Sequence, residues 1–341
     1  MSAVRPTLQD VAARAGVSMK TVSNVINDFP HVKAATRERV ERAIAELGYR
    51  PNLAARNVAL GRSGTIALVV PQLDMPYFAS LAMHVLEAAE ERAWFVLIVQ
   101  TRGSAEVEQR VLRGDFPQRI DGVIFSPLRV SPEEIAARSD TSPLVLLGDK
   151  PFRGIADHVA IDNVGAASLA VGHLLELGRT RVAMVGASLD DSVNLRRDGY
   201  LATMRAHGLA VEPERVVPVE SNRGEAGESV MGDVLDRAAA LGRPVPDAVF
   251  CSTDWLALGV IHALHRRGFR VPDDVAVVGF DDIPYGRVSS PTLTTIASSR
   301  DQIARIAVER LASRQKDAPE PLELAADYEL VVRESTAGRQ P

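Results

Sequence analysis

The N-terminal segment carries two apolar stripes at the spacing of short helices. They lie within residues 7–27, TLQDVAARAGVSMKTVSNVIN, and consist of Leu8, Val11 and Ala12, then Val22, Val25 and Ile26. Gly16 permits a sharp reversal between them, and Ser18 can cap the second helix through its side-chain oxygen. The spacing predicts a helix-turn-helix, in which the second helix enters the major groove of DNA. The alternative is a small helical subdomain that only packs.

A third helix and a short joint follow. Apolar residues recur on one face of residues 33–47, Thr36 can cap the first turn, and Gly48 is a stop signal. Residues 52–60 are compatible with a helix, but a helix that short is marginal in water without a partner. Residues 61–64, Gly-Arg-Ser-Gly, are typical of a flexible joint.

From residue 65 onward, short apolar runs alternate with helical segments. Nine runs of mainly Val, Ile, Leu and Ala are predicted to be strands: 66–70, 95–99, 122–125, 144–147, 159–161, 182–185, 216–219, 248–251 and 275–279. Helices are predicted between them at 78–92, 165–177, 195–206 and 255–267. Such runs are typical of parallel strands buried on both faces. Ligands of these sheets bind beyond the carboxyl ends of the strands, which predicts a cleft between two lobes.

These patterns predict a fold with a helical head and an α/β body. The head is an N-terminal all-α helix-turn-helix unit, and the body consists of two doubly wound lobes. The expected boundaries are 1–51 for the head, 52–64 for a hinge helix and linker, and 65–341 for the body. Within the body, the first lobe is expected to contain 65–162 and 294–330, and the second lobe 163–293.

Composition narrows the class of protein. Of the 341 residues, 46% are hydrophobic and 24% are charged, which is ordinary for a soluble globular protein. No run approaches the ~18 apolar residues of a membrane span, and no apolar signal-peptide region follows the first charges. Cys251 is the single cysteine, which excludes an internal disulfide and a Cys/His zinc cluster and fits a reducing compartment. We therefore expect a cytoplasmic, nucleoid-associated protein with no cofactor, metal or membrane partner.

The charge is unevenly distributed along the chain. The whole chain carries −5, but residues 1–62 carry ten Lys and Arg against five Asp and Glu, a net charge of +5, which leaves −10 on the remainder. A basic head attracts phosphates, while an acidic body stays off the duplex. The asymmetry favours a DNA-binding head joined to a body with a separate role.

Three ordered motifs resemble the LacI/GalR family of bacterial transcription repressors. They are the helix-turn-helix motif at 7–27, TRERVERAIAELGYRPNLAAR at 36–56 and GFDDIPYGRVSSPTLTTI at 279–296. The resemblance implies a body like the periplasmic sugar-binding proteins and a homodimer that binds near-palindromic, double-stranded operator DNA. It also implies a repressor of carbohydrate-utilisation genes, with a small effector in the cleft. Most relatives release DNA on binding a sugar and some bind more tightly with a co-repressor; we expect release.

The resemblance assigns roles to residues of the head. Base-reading positions correspond to Met19, Lys20 and Asn24, and phosphate-contacting positions to Ser18, Thr21, Ser23, Asn27 and His31. Many family members have arginine where this chain has Asn24. Arginine favours guanine, whereas asparagine can pair with N6 and N7 of adenine, so we expect an operator with adenine at that step. The alternative is that Asn24 is too short to reach a base.

The hinge also departs from the family. Its members insert leucine side chains into the minor groove, which unstacks a base step and bends the duplex. The matching minor-groove positions here are Ala55 and Val58, of which Val58 replaces the leucine. Valine is shorter and β-branched, so we expect a weaker wedge. Alternatively, Val58 fits well enough that little changes.

In the body, the resemblance implies a set of effector contacts: Tyr77, Phe78, Ser192, Arg196, Asp254 and Asp281. Carboxylates, an arginine and aromatic rings suit a polyhydroxylated ligand such as a sugar or polyol. Tyr77 and Phe78 could instead belong to the core. Asp149 and the pair Asp162-Asn163 also end strands and could line the mouth, although Asp162 could simply cap the next helix. Asn222 stands where some members have an aromatic ring, which leaves the identity of the ligand open.

Two other functions are weighed against a regulator. A solute-binding protein would share the two-lobed body, but the basic head and the missing signal peptide argue against it. A sugar-handling enzyme could also use an α/β body. However, the chain has no G-x-x-x-x-G-K-[ST] loop and no G-x-G-x-x-G after a strand. We therefore expect a regulator without catalytic activity.

Overall fold

A computed structural model describes most of the chain. The described residues are 6–26, 29–49, 62–149, 152–187, 194–314 and 320–338. Four residues with a predicted role lie outside them: Asn27, Ala55, Val58 and Ser192. The predicted hinge helix at 52–60 also lies outside. The chain divides into two compact units, a head at Met1–Gly64 and a body at Thr65–Pro341.

Within its described residues, the head has three helices: α1 (Leu8–Ala15), α2 (Met19–Ile26) and α3 (Ala34–Leu47). α1 begins with a capping box between Thr7 and Asp10. The Thr7 amide donates to the Asp10 carboxylate over 2.7 Å, while the Asp10 amide donates to the Thr7 hydroxyl over 3.3 Å. Two of the backbone groups that a helix start leaves without partners are thereby satisfied.

The turn between α1 and α2 follows the predicted chemistry. Gly16 ends α1 with a left-handed φ of 64°, which a residue with a Cβ adopts only under strain. Ser18 then accepts a hydrogen bond from the Thr21 amide over 3.1 Å, which confirms it as the cap of α2. The predicted cap of α3 at Thr36 is wrong. The helix already begins two residues earlier, and its N-cap is Lys33, which makes no side-chain capping bond.

The three helices of the head share one apolar core. Its buried members are Val11, Ala12, Ala15, Val22, Val25, Val40 and Ala43. An ion pair between Arg14 and Glu46, with 2.5 Å between Nη2 and Oε2, joins α1 to α3 at the surface. Surface pairs contribute only about 0–1 kcal/mol, so burial of the apolar stripes is the main stabilising term. The same packing leaves the polar side of α2 at the surface.

The first sheet of the body has six parallel strands. In chain order they are β1 (Thr65–Val70), β2 (Phe95–Gln100), β3 (Val123–Phe125), β4 (Leu144–Leu147), β5 (Asp157–Ala160) and β11 (Glu323–Ala325). Across the sheet their order is β11-β5-β4-β3-β1-β2. The helices of this lobe are α4 (Pro76–Glu90), α5 (Ala105–Leu112), α6 (Pro132–Ala136) and α12 (Arg300–Arg314). Strand order and parallel pairing match a doubly wound lobe.

The second sheet also has six strands. They are β6 (Val182–Ala187), β7 (Val216–Pro218), β8 (Ala248–Cys251), β9 (Ala276–Phe280), β10 (Thr294–Ser298) and β12 (Tyr328–Val331). The order is β12-β10-β9-β8-β6-β7, and the β10–β12 pair is antiparallel. The helices of this lobe are α7 (Asn163–Glu176), α8 (Leu195–Ala206), α9 (Gly224–Ala240), α10 (Asp254–Arg266), α11 (Pro284–Val288) and α13 (Glu334–Ala337). A short 3₁₀ turn at Pro213–Arg215 precedes β7.

Strand β1 shows why these apolar runs become buried strands. Its side chains alternate between two cores: Ile66, Leu68 and Val70 pack on one face of the sheet, and Ala67 and Val69 on the other. All five are fully buried. A strand that packs on both faces must be apolar at every position, which is the pattern seen in the sequence. The predicted fold class of a helical head and two doubly wound lobes is confirmed.

The chain crosses between the lobes three times: after β5, after β10 and after β11. The sequence assigns residues 294–330 as a whole to the first lobe, and this assignment is wrong for two strands. β10 pairs in parallel with β9, and β12 pairs with β10, so both belong to the second sheet. Among the described residues of this segment, α12 and β11 belong to the first lobe, because their apolar residues pack into its core.

Candidate functional site

The outer side of α2 presents three side chains that could meet a DNA groove. Met19 is 52% exposed. Lys20 is exposed and Asn24 is half-buried. Lys20 and Asn24 are four residues apart, so they lie on one face of the helix. These are the three predicted base-reading residues, and all lie off the buried stripe of α2.

Hydroxyl groups cluster at the start of α2. Ser18 and Thr21 form a hydrogen bond between their hydroxyls over 2.9 Å, close to the first amides of the helix. The amino end of a helix carries a partial positive charge and unsatisfied N–H groups, which favours a phosphate. Ser23 follows on the same helix and is half-buried. The arrangement is compatible with the predicted phosphate contacts.

The loop between α2 and α3 carries a further predicted phosphate contact, His31. Its exposed ring packs edge-on against Phe29, with 5.7 Å between ring centroids. Arg37 of α3 donates to the Phe29 carbonyl over 3.3 Å. These contacts hold the loop against α3 while leaving the imidazole accessible.

Arg196 is the central residue of the cleft in the body. It lies in the first turn of α8, and its Nε donates to Asn163 Oδ1 over 3.0 Å. One terminal nitrogen donates to the Ser252 carbonyl at the end of β8. The guanidinium carbon lies 3.7 Å from the centroid of the Phe280 ring, a cation–π contact. Because three groups of the second lobe hold the guanidinium, its plane is fixed.

Two carboxylates approach this guanidinium from different lobes. Asp149, which follows β4 of the first lobe, has its Oδ2 3.7 Å from Arg196 Nη2. Asp281, which follows β9 of the second lobe, has its Oδ1 3.9 Å from Arg196 Nη1. Asn163 links the two sides, because its Nδ2 donates to Asp149 Oδ1 over 3.0 Å. The polar groups of both lobes therefore converge on one point.

Asp281 is the most perturbed acid of the cleft. Only 6% of the residue is exposed, and burial raises its pKa to about 8, against the opposing effect of Arg196. Its backbone has φ of 114°, a strained conformation for a residue with a Cβ, and Arg300 donates to its carbonyl. The carboxyl group can therefore be protonated near neutral pH, which lets it donate as well as accept.

Asp254, which is also predicted as an effector contact, makes its hydrogen bonds inside the second lobe. It is fully buried at the start of α10, and its Oδ1 accepts from the Thr295 hydroxyl over 2.6 Å. Its Oδ2 accepts from the Ile283 amide over 2.8 Å. Burial raises the pKa of Asp254 to about 6, and the two hydrogen bonds oppose this rise. The carboxylate joins the start of α10 to strand β10 and to the loop after β9, and it is not among the side chains that line the cleft.

The two aromatic residues predicted to contact the effector, Tyr77 and Phe78, differ in their position relative to the cleft. Tyr77 lines the cleft, and burial together with the nearby Asp281 raises the pKa of its hydroxyl. Phe78 does not line it. Both rings pack against the core of the first lobe. They also contact each other edge to face, with 5.2 Å between their centroids. Phe78 therefore fits the alternative role of a core residue, whereas Tyr77 remains a candidate contact.

The neighbouring residues Asp162 and Asn163 also have different roles. Asp162 caps α7 by accepting from the Gly165 amide over 2.9 Å, as the capping alternative predicts. Asn163 is 2% exposed and lines the cleft between Arg196 and Asp149. The amide of Asn163 is therefore an organising group of the site, although its sequence position suggested only a place at the mouth.

Three residues in or next to the cleft have no role predicted from the sequence. Phe280 supplies the ring under Arg196, and Ser298 lines the cavity at the end of β10. Arg300 reaches from the first lobe to the Asp281 and Asp282 carbonyls, so it joins the lobes at their crossing. Phe280 lies inside the motif at 279–296 that resembles the LacI/GalR family, so its role could have been predicted from the sequence. Nothing in the sequence distinguishes Ser298 or Arg300 from other polar residues.

The enclosed space between these residues is small. The cavity measures about 30 Å³ and is lined by Tyr77, Asp149, Asn163, Arg196, Phe280, Asp281 and Ser298 among others. Pockets for small organic ligands have roughly 300–1,000 Å³. A ligand larger than a few atoms therefore requires the lobes to separate or the side chains to move.

A second polar link lies between Asp74 of the first lobe and Arg223 of the second. Arg223 donates to the Asp74 carboxylate, which lowers the pKa of that carboxyl group. Both side chains are partly exposed, so the pair is weak by itself. Asn222, next to Arg223, is exposed. Asn222 stands where some members of the family that the sequence resembles have an aromatic ring.

Two classes of site find no support in the described part of the chain. None of its helices combines the length and the apolar character that crossing a bilayer requires. Its His, Cys, Asp and Glu residues form no group suited to a metal ion.

Known proteins resemble the chain over nearly its whole length. Residues 7–52 match the family model described as bacterial regulatory proteins, lacI family, and residues 171–336 match a periplasmic binding protein-like domain. The HTH-type transcriptional regulator CelR of Thermobifida fusca is 34% identical over 346 residues, which covers 97% of this chain and 98% of the relative.

Two solved structures extend the similarity to three dimensions. A CelR–cellobiose complex has a TM-score of 0.70 at 32% identity and covers 97% of this chain and 100% of its own. The lac repressor dimer bound to operator and the anti-inducer ONPF has a TM-score of 0.83 at 27% identity, with coverage of 97% and 99%. Both similarities span the head and the body.

Proposed function

The chain belongs to the LacI family of bacterial regulatory proteins, and we propose that it represses carbohydrate-utilisation genes until a sugar or polyol enters its cleft. As a member of this family it is a DNA-binding transcriptional regulator. The observation that carries the effector part of the proposal is the meeting of Asp149, Arg196 and Asp281. Hydroxyl groups donate to carboxylates and accept from guanidinium, so adjacent hydroxyls match this set.

In the head, the proposed base-reading residues are Met19, Lys20 and Asn24, which lie off the buried stripe of α2. The proposed phosphate contacts are Ser18, Thr21, Ser23, Asn27 and His31. Phosphate contacts fix the register of the protein, and base contacts select the sequence. We propose that Asn24 selects adenine at its step, because the asparagine amide pairs with N6 and N7 of that base.

The proposed hinge contacts are Ala55 and Val58 in the minor groove. Support for them comes from the family motif alone. A valine inserted at a base step displaces less stacked surface than a leucine, so the proposed bend in the operator is smaller than that of relatives with leucine.

The proposed signal from effector to operator is a change in how the two lobes meet. Arg196 is fixed in the second lobe and Asp149 belongs to the first, so a ligand that binds both side chains alters their separation. A ligand shifts DNA affinity only through its different affinities for the two arrangements, typically by ~1–3 kcal/mol. We propose that the arrangement with the effector bound has the lower affinity for operator.

The proposed assembly is a homodimer, since a near-palindromic operator requires two heads related by a two-fold axis. A candidate face on the first lobe combines α4 with the edge strand β2. Three large apolar side chains are exposed there: Met83 at 57%, Leu86 at 37% and Phe95 at 62%. Exposed apolar patches commonly mark interfaces. A second copy of this chain is the proposed occupant, as in the matched lac repressor structure, which is a dimer.

The proposed setting is the cytoplasm, where the operator is found, and the proposed action is binding without catalysis. The cleft supplies carboxylates and arginine for recognition. An acid such as Asp281, next to Arg196, also suits hydrogen bonding to a sugar without any covalent step.

Selection from randomised duplex DNA, followed by sugar challenge, tests this function. We expect the full-length protein to enrich a near-palindromic sequence, and cellobiose, D-glucose, D-ribose or D-galactose to weaken that binding. Failure to enrich any sequence contradicts the proposed role of the head. Enrichment with operator affinity unchanged by every sugar contradicts the proposed effector class.

A further inference from the structure

The hydroxyl of Ser298 is a buried polar group without a partner. Ser298 is the last residue of β10 and is 8% exposed. Its Oγ makes no hydrogen bond with any residue that the structure describes. Buried side-chain hydroxyls almost always have a partner, because leaving one unpaired costs folding free energy. The exception therefore requires a physical reason.

The position of Ser298 indicates such a reason. The residue lines the same cavity as Arg196 and Asp281. The Asp281 amide donates to the Ile296 carbonyl over 2.8 Å, so the ends of β9 and β10 lie side by side. The Ser298 hydroxyl therefore belongs to the part of the cleft near Asp281, where the chain crosses to the first lobe.

The backbone of Ser298 already has a structural role that its side chain does not share. Ser298 pairs with Tyr328 in the antiparallel β10–β12 ladder, which fixes the strand. The side chain adds no hydrogen bond to that ladder. An alanine at this position would preserve the strand and remove only the unpaired hydroxyl.

We propose that Ser298 is a specificity-determining residue, whose hydroxyl binds a hydroxyl group of a polyhydroxylated effector beside the group bound by Asp281. The inference rests on the proposed function and deepens it. A ligand hydroxyl can donate to Ser298 and accept from it, so it satisfies both capacities of the side chain. A ligand with an apolar carbon at this point leaves the serine unpaired and is rejected.

Ser335 provides a matched control, since it is a buried serine with a purely structural role. Its Oγ donates to the Val277 carbonyl over 2.6 Å and accepts from the Thr294 amide over 2.8 Å. It is fully buried and lies outside the cavity lining. Alanine at this position removes two hydrogen bonds to the backbone, whereas alanine at Ser298 removes none.

The test compares Ser298→Ala with Ser335→Ala in the full-length protein. Calorimetric titration uses cellobiose, D-glucose, D-ribose and D-galactose, and urea unfolding is measured without sugar. For Ser298→Ala we expect about tenfold weaker binding of the sugar that the natural protein binds, which corresponds to ~1.4 kcal/mol, and an unfolding midpoint equal or higher. For Ser335→Ala we expect a lower midpoint and unchanged sugar affinity.

Two results overturn the inference alone. One is a sugar affinity of Ser298→Ala equal to that of the natural protein. The other is a loss of stability in Ser298→Ala as large as in Ser335→Ala, which would mean that the hydroxyl serves the fold. If the natural protein binds none of the four sugars, the proposed effector class fails, and the role of Ser298 fails with it.

Discussion

Arg196 Nη2 lies 3.7 Å from Asp149 Oδ2, and the two residues belong to different lobes of the body. The arginine is held within the second lobe by the Ser252 carbonyl and the Phe280 ring. The carboxylate is partly exposed and follows strand β4 of the first lobe, so its backbone moves with that lobe. The affinity of a ligand that binds both side chains therefore depends on the separation of the lobes.

Arg196→Lys is expected to weaken sugar binding while operator binding without sugar is retained. Lysine keeps the charge but loses the planar fork that contacts Asn163 and stacks on Phe280. We expect an affinity loss of about 10- to 100-fold, or ~1.4–2.7 kcal/mol, in calorimetric titration. Arg197→Lys is the control, because Arg197 is on the same turn of α8 but does not line the cavity. Equal affinities for the two variants would contradict the role of Arg196.

The stability of the protein is expected to fall as the pH rises from about 6 to 8, because of Asp281. Burial raises the pKa of this acid to about 8 in the folded chain, against about 3.9 in an unfolded one. Between these values the folded chain holds more protons, so the unfolding free energy falls with rising pH, by up to ~1.4 kcal/mol per unit.

Asp281→Asn removes this titration, so its unfolding free energy should fall less over the same range. Urea unfolding of both proteins at pH 6, 7 and 8 measures the difference. Asp254, whose pKa burial raises to about 6, is present in both proteins and titrates mainly below pH 7. Parallel pH profiles would show that Asp281 does not hold a proton near neutral pH in the folded chain.

Asp254→Asn is expected to lower stability without changing sugar affinity. The carboxylate accepts hydrogen bonds from Thr295 and from the Ile283 amide, and an asparagine amide can accept only one of them. We expect a loss of about 1–3 kcal/mol in unfolding free energy, measured by urea titration. A selective loss of sugar affinity at unchanged stability would instead restore Asp254 as an effector contact.

The sequence predicted the elements well where apolar runs were solid, and less well where pairing is non-local. β4 and β8 are short runs buried on both faces, and their predicted bounds match the structure. β10 contains three polar residues, and its membership of the second sheet depends on pairing with β9, which no local pattern encodes. The lobe boundary near residue 294 was misjudged for this reason.

The candidate site was predictable only in part. Asp254 and Asp281 both follow a strand of the second sheet and look equivalent in sequence. They differ because the backbone of Asp281 has a positive φ, whereas Asp254 meets the Thr295 hydroxyl inside the lobe. Ser298 gave no signal, since an unpaired hydroxyl is a property of three-dimensional packing.

Asn24→Arg is expected to change the preferred base in the operator. Asparagine at this position of α2 pairs with adenine, whereas arginine reaches O6 and N7 of guanine. Selection from randomised duplexes should therefore recover adenine with the natural protein and guanine with the variant, a discrimination of about 1–3 kcal/mol per step. Recovery of the same base by both proteins would show that residue 24 does not read DNA.

The most direct test of the account is whether operator and effector weaken each other's binding by the same factor. Thermodynamic linkage requires this reciprocity, and a coupling of ~1–3 kcal/mol corresponds to roughly 5- to 150-fold. Sugar affinity should be titrated with the free protein and with the protein saturated by its selected operator. Sugar binding is expected to be weaker on the operator, by the factor with which the sugar weakens operator binding. Equal sugar affinity in both states would contradict it.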